Sequence, residues 1–236
     1  MKIKLFTTSV ILLLITFYSC QKIENPKNIC KDCGSFDLSK ITFTEKISDL
    51  TAKTEVWKSA IVNDDNELKS EEEVTKKDVA KLYKYSFANA QNLILGSKPF
   101  TYNGHFDFNS LQILTDPKNK IIAFNATIFY DGKMEDINDF VEYLKKENKS
   151  MKMTKNGMLG DLTVYQWFSD DRIIQLVKDD KEGVEETMID GKTTKQKSTY
   201  VKLTIYDSSF LKNAINTIVD RDIDFALYHD SHFIKN

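Results

Sequence analysis

Between Ile122 and Tyr130 the chain alternates strictly: Ile122, Phe124, Ala126, Ile128 and Tyr130 fall on one side, Asn125 and Thr127 on the other. Side chains of a strand point alternately to opposite faces, so the run predicts a strand with one buried face. Asp131-Gly132 ends it. Met134, Ile137, Phe140, Val141 and Leu144 then recur at helical spacing, predicting a helix over 134–147. Glu135 and Asp136 near its start and Lys145 and Lys146 near its end complement the helix dipole. Alternation returns in Thr163, Tyr165 and Trp167, stops at Ser169-Asp170-Asp171, and resumes in Ile173–Val177 as an antiparallel return. Tyr200–Tyr206 reads as a further strand, with Val201, Leu203 and Ile205 on one side. Asp207 or Ser208 can cap a last helix carrying Phe210, Ala214, Ile215 and Ile218.

Upstream, Asn92–Leu95 and Phe100-Thr101-Tyr102 lead into Asn103-Gly104, a hairpin signal because both residues tolerate positive φ. Phe106, Phe108 and Leu111 continue toward Leu114, and Asp116-Pro117-Lys118-Asn119 is a turn. Ile41–Thr44 is a short β-prone run, and 48–57 has room for one or two helical turns. Ser70 and Glu73 have capping-box spacing, predicting a helix toward Leu82 before a strand through Tyr83, Tyr85 and Phe87. Residues 179–198 read as a long loop or hairpin extension. Residues 220–236 read as a tail docked through Phe225, Leu227 and Phe233. The sum is an α+β domain over 36–236: an antiparallel β-sheet with one or two helices packed on one face. The polar stretch near 63–80 marks a break between two subdomains, if the domain divides.

The N-terminus has a different pattern. Met1-Lys2-Ile3-Lys4 is followed by an apolar run from Leu5 to Phe17, which stops at Tyr18-Ser19-Cys20. A basic start, a short apolar core and a small residue before the cut are the anatomy of a secretory signal. The run is shorter than the roughly 20 apolar residues a spanning helix needs. Ser19-Cys20 makes residues 1–20 resemble a bacterial lipoprotein signal, although Phe17 and Tyr18 stand where that pattern prefers Leu and a small residue. The resemblance implies loss of residues 1–19 and acyl chains, palmitate among them, on Cys20. Gln21, in place of the Asp that retains many such proteins in the inner membrane, implies the outer membrane. An ordinary cleaved signal with Cys20 unmodified is the alternative. Residues 20–35, with Pro26 and many polar side chains, read as lipidated cysteine and tether, reaching on the order of 50 Å when extended.

Composition narrows the classes. With 41% hydrophobic and 29% charged residues the chain is ordinary globular material, which argues against disorder. Loss of Lys2 and Lys4 with the signal leaves 31 basic and 35 acidic side chains, a net charge of −4. No basic block exists, so nucleic acid is not an expected partner. Cys30 and Cys33, in Cys30-Lys31-Asp32-Cys33, predict a disulfide in an oxidising envelope. A redox pair or a reduced loop remains open, as does a zinc site completed by His229 and His232.

The chain has no GxGxxG, P-loop, GxSxG or HExxH, and its three histidines include no recognisable base of a triad. No catalytic residue and no cofactor are expected. Asp170-Asp171 and Asp179-Asp180 are adjacent pairs, poorly placed to cooperate across a substrate. Aromatic residues are plentiful, and Tyr165 with Trp167 is the candidate platform for a glycan, peptide or partner protein. The alternative for both is core packing. These features point to a lipid-anchored, non-enzymatic binding or assembly module of the cell envelope, held to the membrane by its lipid. The alternatives are an extracytoplasmic hydrolase with an unrecognised site, and an immunity or inhibitor lipoprotein acting through 179–198. Cys20→Ala is expected to leave the precursor uncut and unlabelled by a fatty-acid probe; undiminished labelling would remove Cys20 as the acylated residue.

Overall fold

The strands run in the order β1 (Phe36–Asp37), β2 (Trp57–Val62), β3 (Glu67–Ser70), β4 (Ala80–Phe87), β5 (Phe100–Tyr102), β6 (Phe106–Phe108), β7 (Ser110–Thr115) and β8 (Ile121–Tyr130). After them come β9 (Met151–Asn156), β10 (Leu162–Phe168), β11 (Arg172–Asp179), β12 (Gly183–Ile189) and β13 (Lys192–Asp207). One α-helical turn, α1 (Ile47–Leu50), precedes β2, and α2 (Met134–Glu147) links β8 to β9. This computed structural model describes residues 25–62, 67–87, 99–148, 151–156, 162–179, 183–189, 192–209 and 223–228.

One large antiparallel sheet dominates, in the order β3-β2-β4-β7-β8-β13-β11-β10-β9, with β12 paired to the first half of β13. A small second sheet joins β1, β5 and β6, with β1 parallel to β5. The registers place Tyr85, Ile113, Phe124, Ile205, Ile174 and Trp167 in one row across the large sheet. Phe87, Leu111, Ala126, Leu203, Leu176 and Tyr165 form a second row on the same face. These side chains share one core with Ile137, Phe140, Val141 and Leu144 of α2 and with Phe36, Leu38, Ile41, Ile47 and Leu50 of the N-terminal segment. Phe100, Tyr102, Phe106 and Phe108 of the small sheet complete it. A smaller core on the opposite face joins Ile61, Leu82, Leu114, Ile122, Ala123, Tyr206 and Phe225.

The helix over 134–147 and the strands at β8, β10, β11 and the second half of β13 lie where the periodicity places them. The hairpin turn has both Asn103 (φ 50) and Gly104 (φ 70) at positive φ, and His105 N closes it on Tyr102 O. Asp116 organises the β7–β8 turn, its Oδ1 accepting from Lys118 N and Lys120 N at 2.8 Å each. Gly183–Ile189 and Lys192–Ser198 pair as an antiparallel extension of the sheet, and Phe225 is fully buried. Asp207 Oδ1 accepts from Ser209 N as the expected cap would, with Ser208 and Ser209 helical; Phe210 to Ile218 of that helix, and Asn92–Leu95, lie outside the described residues.

The class leans further toward β than expected, with thirteen strands against α-helices of four and fourteen residues among the described residues. Ser70 N does donate to Glu73 Oε2 as in one half of a capping box, but Ser70 Oγ donates to the same oxygen instead of accepting from Glu73 N, and the bonds close a turn after β3 and start no helix. Two separate i,i+3 backbone bonds follow, Glu73 N to Ser70 O and Asp78 N to Thr75 O, and the chain must be extended by Ala80 to pair with β2. Ile41–Thr44 forms no strand, because Phe43 takes φ 61. Ile122 sits on the opposite face from Phe124 because a register shift against Leu114 and Thr115 turns that end of β8 over. β2 and β4, on either side of the polar stretch near 63–80, are paired neighbours in the large sheet.

Removal of buried α2 atoms leaves a cavity that the two rows above it cannot fill. Leu144→Ala is expected to cost about 2–5 kcal/mol in chemical denaturation, whereas Lys146→Ala, on the exposed side, changes stability by less than ~0.5 kcal/mol.

Candidate functional site

Tyr165 and Trp167 do not form a surface platform. They are 8% and 1% exposed, lie in the main core with ring centroids 6.0 Å apart, and have Lys145 of α2 6.0 Å above the Tyr165 ring. Their alternation with Val164 and Gln166 marks β10 correctly, but the face they occupy is the one that the core covers. Cys30 and Cys33 are joined in a disulfide, so the zinc alternative lacks their free thiolates. His229, His232 and Cys20 lie outside the described residues. His105 is exposed at the hairpin tip and stacks on Tyr143, centroids 3.7 Å apart.

The most extended polar constellation is one that the chain's periodicity does not announce. Ser86, Gln112, Asn125, Thr204, Gln175 and Gln166 are opposite one another in successive strands from β4 to β10, on the face away from α2. Asn125 Nδ2 donates to Gln112 Oε1 at 2.9 Å, Thr204 Oγ1 to Asn125 Oδ1 at 3.1 Å, and Gln166 Nε2 to Gln175 Oε1 at 2.7 Å. Over this row lies the segment Asp224–Tyr228. Gln175 Nε2 donates to Ala226 O at 2.8 Å and its Oε1 accepts from Tyr228 N at 3.0 Å, so one side chain supplies the bonds a neighbouring strand would give. Tyr206 Oη donates to Phe225 O and Ala226 O. Asp224 Oδ2 accepts from Lys84 Nζ at 3.1 Å and Gln112 Nε2 at 2.9 Å. Neutral amides with satisfied bonds hold a backbone; they supply no nucleophile and no proton at neutral pH. The available signal was a single polar residue centred in each apolar strand, as at Gln112, Asn125 and Gln175.

Charge gathers at one end of the sheet, where Arg172 is paired in register with Asp207. Arg172 Nη2 donates to Ile41 O at 3.0 Å and to Asp171 Oδ2 at 2.8 Å, and Nη1 reaches Ser39 O at 3.4 Å. Nearby, Asp37 Oδ1 accepts from Ser39 N, Ser39 Oγ and Asn103 N, and Oδ2 pairs with Lys40. Burial pushes the Asp37 carboxyl up, but those hydrogen bonds outweigh it and hold it below the usual carboxylate range. Asp207 is likewise lowered, burial being overcome by Lys120 and Ser209, and Asp171 is lowered by its bond from Arg172. These groups tie the N-terminal segment, the hairpin and the sheet together.

On the outside, the large exposed apolar side chains include Trp57 (80%), Val79 and Leu68, all on or beside the strands β2, β3 and β4 at one edge. β3 pairs with Ser59–Val62 and stops short of Trp57. Among the described residues no strand pairs with Trp57 on that side, and on its other side it is opposite Ser86 of β4. The exposed tryptophan of this protein is Trp57, not Trp167, and its neighbours Glu55, Val56 and Lys58 set no periodicity that would reveal it. Among the described residues no group of three or more His, Cys, Asp or Glu side chains is placed to hold a metal, and no helix is long and apolar enough to cross a membrane.

A carboxyl whose folded pKa lies below its unfolded value adds stability that is complete above the unfolded value and lost as pH falls through the folded one. With Asp37, Asp171 and Asp207 all lowered, the melting temperature is expected to drop as pH falls below about 4. Asp37→Asn should flatten that dependence whatever it does to the neutral-pH value; an unchanged acid slope would show that Asp37 carries none of it. Comparisons of this chain with protein families, with curated proteins and with solved structures find no match.

Proposed function

We propose that this protein is a lipid-anchored envelope protein, moored through Cys20 in the outer membrane, whose β-rich domain is a non-enzymatic binding or assembly module. In this reading α2 and the N-terminal segment cover one face of the sheet and the C-terminal segment lies on the other. A partner is left the edges and the uncovered part of that second face, where Phe129 is 60% exposed. The observation that carries the reading is Trp57, an indole 80% exposed at the open start of β2. Tryptophan is enriched among residues that dominate protein interfaces, and an open edge offers backbone donors and acceptors to an added strand. Val79 and Leu68 extend the apolar surface beside it. The occupant is another envelope protein or a glycan, and no nucleic acid.

Photo-cross-linking in intact cells, followed by capture of the acylated protein, tests this. Trp57→Ala is expected to lower recovery of the cross-linked partner about fivefold or more, equal to ~1 kcal/mol, with no change in melting temperature. Equal recovery from both proteins, or no reproducible partner from either, would sink the reading. A second reading, an immunity or inhibitor lipoprotein, is favoured by one observation. Gly183–Ile189 pairs with Lys192–Ser198, the part of β13 that extends past its β8 and β11 partners, as a projecting two-stranded arm. Cross-links that map to this arm and ignore Trp57→Ala would select it.

A further inference from the structure

The stretch expected to be a free spacer is part of the folded body from Asn25 onward. Asn25 Nδ2 donates to Asp37 O and its Oδ1 accepts from Asp37 N, both at 2.8 Å. Asn28 Nδ2 donates to Asp49 O, and Ile29 N donates to Leu50 O at 3.0 Å. Ile29 is 2% exposed, within the main core, and the Cys30–Cys33 bridge closes the loop after it. Only Gln21, Lys22, Ile23 and Glu24 separate Cys20 from this fixed point. Five peptide units reach at most about 18 Å, roughly a third of what a free fifteen-residue spacer would allow.

The fixed point lies at a defined end of the molecule. Asp37, which Asn25 holds, is two residues from Ser39, whose carbonyl is bonded to Arg172, and Arg172 pairs with Asp207. The other end of the β8–β13 pairing is where Thr199 meets Tyr130. There Lys192–Ser198 runs on beyond the β8 and β11 pairings, bonded to β12. Seven residues at about 3.3 Å each carry this arm on the order of 23 Å outward.

We propose that the folded body stands directly against a phospholipid bilayer, its Asn25–Cys33 segment beside the headgroups and the β12–β13 arm directed away from the membrane. The proposal rests on the acyl anchor at Cys20. The short link, and not charge, holds the body there. Lys27, Lys31 and Lys40 are exposed, but so is Asp32, and this end of the domain shows no excess of one sign comparable to a polybasic segment. The arm is then what the anchored protein presents farthest beyond the headgroups.

The test uses acylated full-length protein, its acyl mass confirmed at Cys20, in vesicles of phosphatidylethanolamine and phosphatidylglycerol. Lysines are acetylated with a water-soluble reagent and mapped by mass. Relative to the unacylated chain beginning at Gln21, Lys27 and Lys31 are expected to react at least about threefold more slowly on vesicles, in low and high salt alike. Lys133, exposed just after the Tyr130 end of β8, should be unchanged. Inserting about twelve Gly-Ser residues between Glu24 and Asn25, adding on the order of 20 Å of reach, should restore Lys27 and Lys31. Full reactivity of Lys27 and Lys31 in confirmed acylated protein would overturn the proposal while leaving the anchor intact. Protection that survives the insertion, or that covers Lys133 equally, would overturn it too. Absence of any acyl mass would instead remove the anchor on which it stands.

Discussion

Ala123–Tyr130 pairs residue for residue with Thr199–Tyr206, two segments far apart in the chain, and every other placement follows from that ladder. With side chains alternating across the pleat, the register commits Phe124, Ala126, Leu203 and Ile205 to one face and Ala123, Asn125, Thr204 and Tyr206 to the other. A slip of one residue would exchange the two sets, placing Asn125 and Thr204 in the apolar core and Phe124 on the polar row. The β7 and β11 strands extend the same assignment outward on each side. The centre of the sheet is thus specified by sterics and desolvation at once.

Two different means of covering a sheet result. The face bearing Phe124 shares one apolar core with residues of α2, the small sheet and the N-terminal segment, with ring contacts at Phe36, Phe43, Phe106 and Phe140. The opposite face buries Gln175, Thr204, Asn125 and Gln166, which cannot be left without partners in a dry environment. Its cover is therefore a backbone: Asp224–Tyr228 supplies carbonyl and N–H groups for the amides, and Phe225 fills the apolar remainder. A polar face of this kind is selective about what lies on it, because each unmatched amide costs about 1–3 kcal/mol.

With Asp224–Tyr228 over only part of the second face, where Phe129 of β8 stays 60% exposed, interaction falls to that uncovered part, the edges and the projections, and anchoring decides which of them a partner meets. The N-terminal segment matters here for a reason unrelated to its composition. Its polar side chains look like those of a tether, yet Asn25 and Asn28 use them to bind backbone of the domain, and Ile29 is the apolar plug between. Shortening the free link turns a loose leash into a constraint on orientation.

Elements whose signal is local were legible in the residues. Helix α2 needed only its own spacing of Ile137, Phe140, Val141 and Leu144; the Asn103-Gly104 turn needed only two residues that accept positive φ; β10, β11 and the end of β13 needed only their alternation. The bond from Ser70 N to the Glu73 carboxylate, one half of the capping box, was also local, and forms, but the strand pairing of Ala80–Phe87 overrode the helix it suggests. What alternation cannot tell is which neighbour a face receives. Trp167 and Trp57 are both strand residues, one sealed under the core and the other bare at an edge, and nothing within a few residues of either distinguishes them. The row from Gln112 to Gln166 likewise exists only because five separate strands arrive in register under a distant segment. Periodicity is a property of neighbours along the chain, whereas burial is a property of neighbours in space, and only the folded sheet decides the second.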